Sequence, residues 1–124
     1  MATVLFVDDE PEIVTVGRLA LGSIYTVLTA TSGLEALGIV EREVVVLIIS
    51  DQCMPGMTGA QMLRLLRTSH PGLRCIISTG YAEDSELQGA LDSLAVNWVL
   101  RKPWSPKTLR AKVAEVLAAD NTPV

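Results

Sequence analysis

Val44-Val45-Val46-Leu47-Ile48-Ile49-Ser50-Asp51 is the stretch that decides the fold of this chain. Six apolar residues in succession leave no polar face. A strand built from them must be covered on both sides, as the central strands of parallel sheets are. The run ends on a carboxylate, and three other short apolar runs end on residues of related chemistry. Val4-Leu5-Phe6-Val7 runs into Asp8-Asp9, Cys75-Ile76-Ile77-Ser78 into Thr79, and Trp98-Val99-Leu100-Arg101 into Lys102. In an open parallel sheet with helical crossovers, ligands bind outside the carboxyl ends of the strands. Such a sheet would gather three carboxylates, a hydroxyl and an ammonium at one edge, a set suited to a divalent cation and a phosphoryl group.

Working outward, apolar runs and amphipathic stretches alternate five times. Strands are expected over residues 3–7, 25–30, 44–50, 73–78 and 97–101. A helix over 11–21 starts on Pro11, whose missing N–H is no loss in a first turn. Ser32 with Glu35 three residues on is a capping-box pattern opening a second helix, which carries Leu34, Leu37 and Val40 and ends near Glu43. Met54-Pro55-Gly56-Met57-Thr58-Gly59 is a turn, followed by a helix over 61–68 with Met62, Leu63 and Leu66 inward and a stop at His70-Pro71-Gly72. The fourth helix, over 85–94, puts Leu87, Ala90, Leu91 and Leu94 on one face. The fifth starts after Ser105-Pro106 and buries Leu109, Val113, Val116 and Leu117. Five β-then-α units with short connections define an α/β domain with a doubly wound parallel sheet over 1–120, and a polar, frayed tail over 121–124.

Bulk properties narrow the function. The chain has 124 residues, 49 % of them hydrophobic but 4 % aromatic, so its core must be mainly aliphatic. A formal charge of −4 argues against direct nucleic-acid binding, which selects basic patches. Asp8, Asp9, Glu10 and Glu12 concentrate like charge that something cationic must offset. Two cysteines make no disulfide framework; Cys75, inside an apolar run, reads as a core residue, and Cys53 beside carboxylates should hold its proton. No stretch approaches the length of a membrane span, and a cytoplasmic location is expected. No glycine-rich phosphate loop occurs. His70, the single histidine, sits in a helix-ending turn away from the predicted site.

Asp8-Asp9, Asp51, Met54-Pro55-Gly56 with Gly59, Thr79 and Lys102-Pro103, in this order and at these intervals, resemble the receiver domain of two-component response regulators over essentially the whole chain. The resemblance implies the flavodoxin-like strand order 2-1-3-4-5. It implies that Asp51 accepts a phosphoryl group from a sensor histidine kinase or a histidine phosphotransfer protein. It also implies Mg²⁺ (or Mn²⁺) held by Asp51, Asp9 and the backbone carbonyl of Cys53, with Asp8 acting through water. Lys102 would pair with phosphoryl oxygens, aimed by a cis Lys102-Pro103 peptide. Thr79 would donate its hydroxyl to the phosphoryl group. Ser78 would face the other way, since successive strand residues alternate. The magnitudes favour a cation: two carboxylates about 4 Å apart repel by up to roughly 4 kcal/mol at an effective dielectric near 20.

The chain departs from the pattern at one switch position. Many receivers carry an aromatic residue three positions before the lysine; here Val99 stands there, and Trp98 is one residue off. A one-residue offset moves a side chain to the other face, so the aromatic rotation is expected to be absent unless a bulge intervenes. Tyr81, two past the threonine, is a candidate cover for the aspartyl phosphate. Arg101, Lys107, Arg110 and Lys112 lie near the fifth strand and helix. Such a cluster is usually a solvated face, but the resemblance to receivers makes the fourth helix, fifth strand and fifth helix a candidate surface for a downstream output domain or for a second copy of the chain. The competing class is a small Mg²⁺-dependent phosphohydrolase with an aspartyl-phosphate intermediate. Such enzymes place a second Asp two residues after the nucleophile, where this chain has Cys53. The chain reads as a stand-alone receiver or as the receiver of a longer regulator.

Overall fold

The computed structural model describes residues 1–80, 85–92 and 98–119. Its strands are β1 (Thr3–Val7), β2 (Thr26–Ala30), β3 (Leu47–Asp51), β4 (Arg74–Thr79) and β5 (Trp98–Arg101). The helices that follow them in turn are α1 (Pro11–Leu21), α2 (Gly33–Arg42), α3 (Gly59–Ser69), α4 (Ser85–Asp92) and α5 (Pro106–Ala118). All strand pairs are parallel and the sheet order is β2-β1-β3-β4-β5, the flavodoxin-like order.

Strand alternation sorts the aliphatic residues onto two covered faces. Val4, Phe6, Leu47, Ile49, Ile76 and Leu100 pack against α1 and α5 through Leu21, Leu109, Val113 and Val116. Leu5, Val7, Ile48, Cys75 and Ile77 face the other way, against Ile39 and Val40 of α2, Met62, Leu63 and Leu66 of α3, and Leu87 and Ala90 of α4. Helix starts follow local chemistry. Pro11 and Pro106 open α1 and α5. Ser32 accepts the Glu35 N–H at 3.1 Å to cap α2. Thr58 and Gln61 form a reciprocal capping box on α3. That box extends α3 two residues N-terminal of the expected start.

Three further expectations are corrected. The long valine run does not begin β3. The ladder with β1 starts at Val4↔Leu47, and Val44 lies beyond the sheet, 86 % exposed. Leu34 in α2 is exposed, because Ala36, Ile39 and Val40 occupy the inward stripe. β4 reaches Thr79 instead of stopping at Ser78. Leu94, Asn97 and the 121–124 tail lie outside the described residues. Among the described residues no helix is long and apolar enough to cross a membrane.

Candidate functional site

Because β1 and β3 are neighbours in parallel register, the residues at their carboxyl ends meet at one edge. One carboxylate oxygen from each of Asp8, Asp9 and Asp51 lies within 4.8 Å of the others. Asp8 and Asp51 are buried, Asp9 partly so. Lys102, at the end of β5, reaches across β4. Its Nζ lies 2.9 Å from Asp51 Oδ1 and 3.5 Å from Asp8 Oδ2. The backbone N–H of Lys102 donates to the Thr79 carbonyl at 2.9 Å, which ties the lysine to the last residue of β4. The Lys102-Pro103 peptide is cis.

Asp8 and Asp9 are not helix caps in the usual sense. The N-cap of α1 is Glu10, and no side chain caps that helix. Asp8 Oδ1 instead accepts the Glu10 N–H at 3.0 Å, which fixes the carboxylate toward the cluster. Burial raises the Asp8 carboxyl above its ordinary range, and the Asp51 charge adds to this. The Glu10 N–H and the Lys102 ammonium oppose the rise without cancelling it. Burial alone would lower Lys102, but its hydrogen bond to Asp51 and the charges of Asp8 and Asp51 outweigh that and raise it. The ammonium therefore stays charged throughout the neutral range.

The donor set fits a hard divalent cation. Three carboxylates against one ammonium leave two negative charges in a mostly buried pocket. Mg²⁺ takes oxygen ligands with octahedral geometry and keeps several waters, so one or two direct carboxylates suffice. Cys53, whose carbonyl is the other expected ligand, lies in the β3–α3 loop with its side chain exposed. Gly56 in the same loop adopts φ of 80°, a conformation that favours glycine. Gly59 opens α3 so close beneath Asp51 that any Cβ would strike the Asp51 carbonyl and Ile77.

Thr79 ends β4 at the same edge and is 2 % exposed. Ser78 faces away from it: its Oγ accepts the Trp104 indole N–H at 2.9 Å. Trp104 in turn meets Phe6 edge-on, ring centroids 6.0 Å apart. A cleft of about 390 Å³ opens beside Lys102, lined by Glu10, Ile13, Val16, Pro103 and Trp104. The β4–β5 register is continuous, Ile76↔Trp98 through Thr79↔Arg101, with no bulge. Trp98 packs into the core under α1 and α5. Val99, paired with Ile77, alternates to the opposite face. Tyr81 lies outside the described residues. His70 terminates α3 and lines a separate cleft with Val45, Val46 and Leu73.

Sequence reasoning passed over Gln52, which is 1 % exposed and contacts α3 and α4. Its partner Glu86 is 34 positions away. No local pattern announces such a pair. The Thr58-x-x-Gln61 capping box, in contrast, was a readable signal.

A five-stranded parallel sheet carrying an acidic triad and a lysine at its carboxyl edge is the architecture of a phosphoryl-responsive signalling module. The chain belongs to the response regulator receiver domain family, which it matches over residues 4–114. It is 44 % identical over 119 residues to the sensor kinase CckA of Brucella abortus, covering 94 % of this chain and 12 % of that protein. The chain thus spans about an eighth of that relative's length. Among solved structures, it is similar to the chemotaxis response regulator CheY4 of Vibrio cholerae. The TM-score is 0.85 at 30 % identity, covering 94 % of this chain and 98 % of that one. It is also similar to the response regulator TrrA of Thermotoga maritima, solved in complex with Mg²⁺ and BeF. There the TM-score is 0.82 at 29 % identity, covering 94 % and 99 %. The chain is therefore a receiver domain of two-component signalling.

Proposed function

We propose that Asp51 is the phosphoacceptor, taking a phosphoryl group from the phosphohistidine of a sensor histidine kinase or phosphotransfer protein in the cytoplasm. The observation that carries this reading is the position of Asp51: buried, within reach of two further carboxylates, with the Lys102 ammonium 2.9 Å from its Oδ1. In the transfer, a carboxylate oxygen of Asp51 forms a bond to phosphorus in line with the breaking P–N bond. The electron pair of that bond returns to the imidazole nitrogen, which takes a proton. Charge spreads over three equatorial oxygens, so positioning and electrostatics supply most of the rate.

Asp9, Asp51 and the Cys53 carbonyl would hold Mg²⁺, with Asp8 acting through a water. An ion held there would supply positive charge against the phosphoryl oxygens and offset the mutual repulsion of the carboxylates. Lys102 would exchange its contact with Asp51 for a phosphoryl oxygen, remaining a point charge at the same edge. Thr79 would donate its hydroxyl to another phosphoryl oxygen. Tyr81 would cover the product and slow its hydrolysis. The continuous β4–β5 register, with Trp98 on the far face, supports a switch without aromatic rotation at Val99. The face formed by α4, β5 and α5 would meet an output domain or a second copy of the chain. The functional unit would be residues 1–120, whether alone or within a longer regulator.

The test is incubation with acetyl phosphate and Mg²⁺, read by intact mass. One phosphoryl group should be gained, labile to hydroxylamine and absent in Asp51→Asn. A stable adduct, or one that survives that substitution, would overturn the assignment.

A further inference from the structure

Gln52, the residue after Asp51, is polar yet 1 % exposed, and both ends of its amide are engaged. Its Oε1 accepts the Ala60 N–H at 2.8 Å, and its Nε2 donates to Glu86 Oε1 at 3.0 Å. A backbone N–H can only donate and a carboxylate only accept, so the amide has one allowed orientation. The backbone is fixed as well. The Gln52 N–H donates to the Ser78 carbonyl at 3.1 Å, and its carbonyl accepts the Gly59 N–H at 3.0 Å. One residue thereby ties β3 to β4, to the start of α3 and to the first turn of α4. Glu86 Oε1 also accepts the hydroxyl of Thr58, the N-cap of α3. Two side chains from the segment that follows Asp51 thus converge on one carboxylate oxygen of α4.

We propose that the Gln52–Glu86 hydrogen bond is the link through which α4 responds to the state of Asp51, with Gln52 and Glu86 as positioning residues. The proposal rests on the reading of Asp51 as phosphoacceptor and adds a route out of that site. Asp51 and Gln52 share a peptide plane, so a shift of the Asp51 backbone on esterification would be carried into the hydrogen bonds that Gln52 makes to β4 and α3. A side chain held at both ends cannot absorb that displacement by rotating, and it passes to Glu86. α4 is short, and its buried residues among those described are Leu87 and Ala90.

The experiment compares amide hydrogen exchange over Ser85–Asp92 in the full chain, with and without Mg²⁺ and beryllium fluoride as the phosphoryl mimic. It uses wild type, Gln52→Met, Glu86→Ala and Glu86→Gln. In wild type the mimic should change α4 exchange by about fivefold or more, the low end of ordinary coupling between sites. Gln52→Met and Glu86→Ala should lose that response while still taking up phosphate from acetyl phosphate at Asp51. Glu86→Gln keeps an acceptor oxygen for Gln52 and Thr58 and should recover it. Glu86→Ala, at a partly exposed position, keeps the test alive should Gln52→Met fold poorly. An α4 response of wild-type size in Glu86→Ala, alongside normal Asp51 phosphorylation, overturns the link alone. Absence of Asp51 phosphorylation in wild type overturns the phosphoacceptor reading and the link together.

Discussion

Ile48 and Asp51 lie three residues apart on β3, at 0 % and 5 % exposure, and their burial rests on opposite physics. Ile48 sits in register between the apolar residues Leu5 and Cys75, and its side chain's removal from water is favourable. Asp51 is removed from water almost as completely, although an isolated buried carboxylate is costly unless paired. The buried polar residues Asp8, Ser50, Asp51, Gln52, Ser78 and Thr79 all gather at the carboxyl ends of β1, β3 and β4 or just past them. The strand middles hold the sheet together; their ends spend part of that stability on a charged pocket that a cation can fill.

The contrast can be broken at either end. Asp51→Asn should leave the circular-dichroism spectrum intact and eliminate phosphoryl uptake from acetyl phosphate; residual uptake at wild-type rate would place the chemistry elsewhere. Ile48→Ala should do the reverse. It should cost about 2–5 kcal/mol in denaturant unfolding, the usual range for a large-to-small core change, while the folded fraction still takes up phosphate. Mg²⁺ should come next in size. At ten times its dissociation constant it should stabilise wild type by about 1.4 kcal/mol through mass action, and Asp9→Asn should lose most of that shift in a thermal melt.

The two cysteines give the smallest and sharpest comparison. Cys53, at the edge, is exposed, and Cys75, in a strand middle, is 0 % exposed. Burial pushes the Cys75 thiol from 9.0 up to about 12. The folded chain therefore holds that proton over a range in which the unfolded chain has released it. Stability from this group is complete below pH 9 and falls as pH rises toward 12. Wild type should thus lose stability above pH 9 faster than Cys75→Ala, and iodoacetamide should leave Cys75 unlabelled in the folded chain. Equal alkaline slopes would mean that the strand middle is more open to water than its packing indicates.

Much of this was legible because local and global signals agreed. Pro11 and the acid after Val7 set the bounds of β1 and α1, the apolar runs with their terminal residues pointed to an acidic edge, and the strand order came from the resemblance to receivers. The errors arose where hydrophobicity was taken for burial. Val44 is as apolar as Ile48, but β1 supplies ladder partners only from Val4 to Leu47 onward, and no sequence window contains that limit. Leu34 fits a helical stripe and faces solvent, because Ala36 and Ile39 set the angle at which α2 meets the sheet. At the site, strand alternation separated Ser78 from Thr79. The partner of Ser78, Trp104, comes from a loop 26 residues later and is a product of the fold alone.

That indole has a practical consequence. Trp104 donates to Ser78, the neighbour of Thr79 on β4, and lines the cleft beside Lys102. Its emission depends on the polarity and hydrogen bonding around its ring, and Trp98 is the sole other indole in the chain. Replacing Trp98 with phenylalanine would leave Trp104 as the single indole, on the cleft beside Lys102. With Asp51 as the proposed phosphoacceptor, that emission should serve as an optical gauge of the neighbouring site, with no dye and no tag attached.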